Sequence, residues 1–223
     1  MDKKLIAQAA GKFAAGFVII AALLFIPAGS FAYREAWLFL GILFIPMLIA
    51  GIILLIKNPE LLRKRLNAKE ENDEQKNVVI FSAVIFLAAF IVAGLNYRFG
   101  WIPTPSWAPW LAAVIFLIAY GLYAEVLREN TYLSRTVEIQ EDQKIIDTGL
   151  YGSVRHPMYM STILLFLSMP LVLGSLISFG IMLFYIPLIV KRIRNEEQVL
   201  ESGLEGYAEY KKKVKYKVIP YIW

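Results

Sequence analysis

Residues 156–190 read HPMYMSTILLFLSMPLVLGSLISFGIMLFYIPLIV, 35 positions without aspartate, glutamate, lysine or arginine. As one straight helix this run would measure about 53 Å, against the roughly 30 Å of a bilayer's hydrocarbon core. Pro170, Gly174 and Ser175 sit at its middle, and all three are residues at which a helix can stop. The run therefore reads as a helical hairpin, with arms near Met158–Leu173 and Leu176–Val190. Each arm is short for a full crossing.

Outward from the hairpin, the rest of the chain repeats the theme. Phe13–Tyr33, Ala36–Ile56 and Asn77–Tyr97 are each 21 residues without a charge, and Phe99–Ala124 is a further charge-free run. Twenty-one helical residues match one bilayer crossing. The chain is 58% hydrophobic and 18% charged, with mean hydropathy +0.57, which excludes an ordinary soluble domain and a disordered one. The expected fold is all-α: a polytopic membrane bundle of five to six transmembrane segments. Spans are expected near 13–33, 36–56, 77–97 and 107–127, with the hairpin near 158–190. Residues 1–127 form an N-terminal helical part and 128–223 a second part, in which a connector and a C-terminal tail flank the hairpin. Phe13–Tyr33 follows Lys3 and Lys4 as a signal peptide would, but its apolar core is too long for one and is kept as a span.

Lysine and arginine give the orientation. With the N-terminus in the cytoplasm, 21 of the 23 basic residues fall on the cytoplasmic side, and only Arg34 and Arg98 fall outside. This partition follows the positive-inside rule and places both termini at the cytoplasmic face of the inner cell membrane. The net charge of +5 is thereby explained without a nucleic-acid partner. Lys211–Lys217 reads as a basic tail facing lipid headgroups. Trp101, Trp107 and Trp110 read as an outer aromatic belt.

There is no cysteine and a single histidine, His156. Thiol nucleophiles, disulfides and His-rich metal clusters are excluded, and no metal is expected. Asn58–Lys76 is expected to carry a short surface helix. Thr136–Gln140 and Lys144–Asp147 flank a turn and suggest a small β-hairpin.

Polar chemistry concentrates in two patches. One is Thr148-Gly149-Leu150-Tyr151-Gly152-Ser153-Val154-Arg155-His156-Pro157-Met158-Tyr159, and the other is Arg192-Ile193-Arg194-Asn195-Glu196-Glu197 with Tyr207 and Tyr210 beyond it. Because a hairpin returns to the side it left, the patches should be neighbours at the cytoplasmic surface. Pro157 suits the first turn of a helix, which would leave Arg155 and His156 beside a helix N-terminus, a place that favours an anion.

Arg155-His156-Pro157-Met158-Tyr159 after Thr148-Gly149-Leu150-Tyr151 resembles the R-H-P-x-Y signature of the isoprenylcysteine carboxyl methyltransferase family. Arg194-Asn195-Glu196-Glu197, then Gly206-Tyr207-Ala208-Glu209-Tyr210 and Ile219-Pro220, is similar to the same family's R-x-E-E, Y-x-x-Y and I-P ending. The resemblance covers the last 80 or so residues, and Leu150 stands where the family commonly has proline. It implies an integral membrane methyltransferase using S-adenosylmethionine on a lipophilic acceptor at the cytoplasmic face, without a Rossmann domain. No G-x-G-x-x-G is present.

The resemblance implies a cofactor site from Tyr151, Arg155, His156, Pro157, Tyr159, Glu196, Glu197, Tyr207 and Tyr210. His156 and the adjacent backbone would hold the cofactor's amino-acid portion, and Glu196 or Glu197 its ribose. Arg194 and Glu197 are the catalytic candidates, Arg194 orienting an acceptor carboxylate through paired hydrogen bonds. The tail at Gly206–Tyr210 would close over the cofactor. A phospholipid amine or small thiol as acceptor, an NADPH-dependent reductase of the sterol-reductase kind, and a non-catalytic lipid binder are the alternatives.

Overall fold

The computed structural model describes residues 3–66, 73–130, 132–133, 139–140 and 142–223. They form helices α1 (Lys3–Ala28), α2 (Arg34–Lys57), α3 (Pro59–Leu66), α4 (Asp73–Phe99), α5 (Ala108–Glu129), α6 (Pro157–Val172), α7 (Leu176–Met182), α8 (Tyr185–Gly203) and α9 (Tyr207–Lys213), with a single 3₁₀ turn at Gly149–Gly152. No strand occurs among the described residues. The molecule is an all-helical membrane bundle.

Five helical stretches are long and apolar enough to cross a membrane: Lys3–Ala28, Arg34–Lys57, Lys76–Phe99, Ala108–Glu129 and Leu176–Gly203. The fifth combines α7 and α8 across a one-step irregularity at Leu183-Phe184. The first hairpin arm, α6, has 16 residues and spans about 24 Å, short of the hydrocarbon core. Large apolar side chains such as Val18, Ile19, Ile45, Ile53 and Val84 point outward, which only lipid tolerates over so wide a surface.

Where the helices meet, small residues let backbones approach. Ala28, Ala89, Ala93, Ala112, Ala113 and Ala119 are buried. At Gly94 of α4, a Cβ would lie 2.6 Å from the Leu24 carbonyl oxygen of α1. Between these contacts aromatic rings fill the centre. Phe39 meets Phe116 edge-on at 5.8 Å, and Phe86 meets Phe166 at 4.7 Å. Helix α6 runs along α5, and α4 lies against α1, α7 and α8.

The hairpin turns where its arms were expected to meet: the chain reverses at Leu173–Ser175, where Gly174 has φ +67°. Pro170 lies inside the last turn of α6, where it removes one helical bond to the turn before it. Ser175 then caps α7 by accepting the Ser178 N–H at 3.2 Å. The second arm does not end at Val190 but continues as α8 to Gly203, carrying the second polar patch on a rigid helix.

The expected β-hairpin is corrected in part. Residues 134–138 lie outside the described residues; of the described ones, 139–140 and 144–147 have no strand. The turn itself is present, with the Gln143 N–H donating to the Gln140 carbonyl at 3.1 Å and Asp142 at φ 54°. Ile145 and Ile146 turn toward a cavity instead of pairing across a ladder. The expected surface helix is α3, which starts at Pro59 and buries Leu61 and Leu62.

Polar groups pin the hairpin's outer tip. Tyr33 Oη donates to the Leu173 carbonyl at 2.5 Å, and Thr104 Oγ1 to the Gly174 carbonyl at 2.8 Å. Buried Asn96 accepts the Ile102 N–H at 3.1 Å and donates to the Gly174 carbonyl at 3.4 Å. Ser178 Oγ donates to the Ala89 carbonyl at 2.9 Å. Replacing Asn96 by alanine leaves two main-chain groups short of a partner. The expected loss is about 1–2 kcal/mol, read as a lower thermal unfolding midpoint in detergent.

Candidate functional site

At the open end of the hairpin, α6 begins with Pro157, which has no N–H to lose. The residues before it are held by the C-terminal segment. The Arg155 N–H donates to the Tyr216 carbonyl at 2.9 Å and the His156 N–H to the Lys217 carbonyl at 2.8 Å. The backbone expected to face an anion is thus already bonded within the protein.

Arg155 is buried, and its guanidinium makes three hydrogen bonds within the protein. Nη1 donates to the carbonyls of Val214 and Lys215 at 2.7 and 2.8 Å, and Nε to Glu197 Oε1 at 2.8 Å. Glu197, 4% exposed, also receives Lys217 Nζ at 2.7 Å on Oε2, while His156 Nε2 lies 3.3 Å from Oε1. A carboxylate is an acceptor only, so Nε2 carries the imidazole's proton. One buried acid therefore ties together the start of α6, the middle of α8 and the tail.

Beside this knot lies a cleft of about 900 Å³ when the open solvent at its mouth is counted. Tyr151, Arg155, His156, Tyr159, Glu196, Tyr207 and Tyr210 all line it. Pro157 lies buried as the first residue of α6, and Glu197 lies in the ion knot.

Arg194 is corrected. It is exposed and outside the lining, whereas Arg192 is in it. Two helical residues are turned about 200° apart, so only one arginine can share the face of Glu196; Arg192 does, four residues before it. Arg192 Nε donates to Tyr159 Oη at 3.0 Å, and that hydroxyl donates in turn to Glu196 Oε2. The i, i+4 spacing of Arg192 and Glu196 was the signal for this pairing.

Two more residues of the lining have no motif behind them. Asn130, just past α5, donates Nδ2 to Tyr151 Oη at 3.0 Å, and Lys144 reaches the rim. Helix α9 covers the other side. Tyr210 Oη donates to the Tyr151 carbonyl at 2.8 Å. The tail's lysines are not all turned to lipid: Lys211 pairs with Glu201, and Lys213 with Asp147 at 2.7 Å, so α9 is fastened to α8 and to the connector. Such exposed pairs orient more than they stabilise.

Burial pushes the phenols of Tyr151, Tyr207 and Tyr210 above their ordinary range, so all three stay neutral. Tyr207 is 4% exposed, and its hydroxyl has no hydrogen-bond partner among the described residues. A buried polar atom normally has one. Among the described residues, no group of three His, Asp or Glu side chains is arranged to hold a metal.

Residues 110–202 match the Isoprenylcysteine carboxyl methyltransferase (ICMT) family. That segment runs from the first turn of α5 almost to the end of α8, and it contains both halves of the arginine–histidine and double-glutamate pattern. A 91-residue stretch is also 32% identical to "Delta(14)-sterol reductase TM7SF2" of Mus musculus, covering 40% of this chain and 22% of that protein. The chain thus spans about a fifth of the length of that relative. The ICMT match stops short of α9, which lines part of the cavity, and of the C-terminal segment, which bonds Arg155 and His156.

The two glutamates, adjacent in sequence, separate in their expected effects. Glu197→Gln leaves buried cations without their carboxylate and should cost about 3–5 kcal/mol. Glu196→Gln, on the cavity wall, should cost less than about 1 kcal/mol. Denaturant unfolding of both variants in detergent measures the difference.

Proposed function

We propose that this membrane protein is a methyltransferase that binds S-adenosylmethionine in the cavity beside the Glu197 knot and methylates a lipophilic acceptor at the cytoplasmic face. The observation that carries the reading is a cavity built largely from the ICMT-matched segment and lined by aromatic and polar side chains, among them buried Tyr207, whose hydroxyl has no hydrogen-bond partner among the described residues. The donor set suits the cofactor. Tyr207 Oη and Asn130 offer hydrogen bonds to a polar ligand, Glu196 accepts from hydroxyl or ammonium groups, and Tyr151, Tyr207 and Tyr210 offer aromatic faces to an adenine or a sulfonium.

When bound, S-adenosylmethionine supplies an electrophilic methyl group on a positively charged sulfur. The protein's part is to position and to exclude water. Helix α9 and its tyrosines cover the cavity. The knot holds His156 and the start of α6 rigid, with Glu197 acting through Arg155 and His156 instead of touching the ligand. Arg192, in place of Arg194, faces the acceptor. It lies nearer the membrane than Glu196 along α8, where the anionic end of an acceptor with an apolar body would arrive. The asymmetry of basic residues supports a cytoplasmic face for this site and a place in the inner cell membrane.

The stretch similar to a Delta(14)-sterol reductase favours a second reading, reduction with NADPH. The cavity supports it less well. Arg155 is committed to Glu197 and two carbonyls, and a 2′-phosphate would want a cluster of cations.

Calorimetric titration of S-adenosylhomocysteine into the detergent-purified protein tests the first reading. Saturable binding is expected. Tyr207→Phe should weaken it about three- to tenfold while leaving the unfolding midpoint unchanged or slightly higher, since the lost hydroxyl had no hydrogen-bond partner among the described residues. Absence of binding by the folded wild type, with binding of NADPH, would transfer the site to the second reading.

A further inference from the structure

The 3₁₀ turn at Gly149–Gly152, which delivers Tyr151 to the cavity, is held by the end of a transmembrane helix. Glu129, the last residue of α5, places both carboxylate oxygens against the Leu150 N–H, at 3.0 and 3.3 Å. Gly149 makes room for it. A Cβ on that residue would fall 1.4 Å from Glu129 Oε1, and its φ of +52° is one that L side chains rarely adopt. The next residue, Asn130, holds the Tyr151 hydroxyl, and Tyr210 of α9 holds the Tyr151 carbonyl.

We propose that Glu129 is a positioning residue for the cofactor site, clamping the Gly149–Gly152 turn so that Tyr151 is fixed between the membrane bundle and the α9 cover. The proposal deepens the methyltransferase reading and rests on it for the ligand, but the clamp itself does not. Glu129 touches no ligand in this scheme; it acts through Leu150 and Tyr151. Gly149 and Glu129 form one unit, because a methyl group at position 149 displaces the carboxylate from the Leu150 N–H.

The test uses the full chain in detergent, with two readouts. Amide hydrogen exchange of the segment 148–156, without ligand, reports the clamp, and S-adenosylhomocysteine calorimetry reports its consequence. Glu129→Ala should speed exchange in that segment and weaken binding, each by about tenfold. Glu129→Gln keeps one carbonyl acceptor and should restore most of both. Gly149→Ala should match Glu129→Ala, and the double variant should be little worse than either single one. Unchanged exchange in Glu129→Ala would overturn the clamp. Faster exchange with wild-type affinity would overturn its role in the site. A wild type that binds no S-adenosylhomocysteine but whose exchange responds as expected would remove the methyltransferase reading and leave the clamp standing.

Discussion

The carboxylate of Glu197 is the interaction on which the hairpin's open end depends. An ionised acid at 4% exposure is unfavourable unless its partners replace water, and here Arg155, Lys217 and His156 do so from two separate parts of the chain. Remove the acid and the start of α6, the α8 helix and the tail lose their common reference point. The cavity beside it exists because that knot is dense: residues committed to one another cannot collapse into the space. The buried pair thus contributes more to shape than to net stability.

The knot is possible because the hairpin brings its ends home. The reversal at Leu173–Ser175 is fixed by carbonyls of Leu173 and Gly174 bonded to Tyr33, Asn96 and Thr104, three side chains from other parts of the bundle. With the tip anchored and both arms helical, the register of α8 against α6 is determined. That register brings Arg192 and Glu196 to Tyr159 and sends Ile193 and Glu197 inward. Order at the hairpin's tip sets geometry at its open end.

Much of this was legible in the sequence. Charge-free runs of bilayer length give the spans, the 35-residue run gives the hairpin, and Pro157 marks the start of α6, because these depend on length, composition and a missing N–H. The two polar patches were correctly expected to meet. What the sequence hid follows from rotation and chain path. Arg194 was favoured over Arg192 by motif, but a 3.6-residue repeat decides which arginine faces Glu196. The alternating residues around 136–147 suggested strands, yet Ile145 and Ile146 find apolar partners in the cavity wall and not across a ladder. Glu129 and Gly149 lie 20 positions apart with no motif to link them, and only φ and a missing Cβ reveal the pair.

The C-terminal segment takes hold of Arg155 and His156 through four successive carbonyls, those of Val214, Lys215, Tyr216 and Lys217. A carbonyl is supplied by every residue, so at Lys215 and Tyr216 the demand falls on the route of the backbone and hardly on the side chain. Val214 is also held by its burial against Tyr207 and Tyr210, and Lys217 by a side-chain bond. Lys215 and Tyr216 could be rewritten extensively, provided the path is kept, without disturbing the grip. The floor of the site is in this sense written in a script that residue-by-residue comparison reads poorly, which accords with a family match that ends at residue 202 while the architecture it belongs to continues.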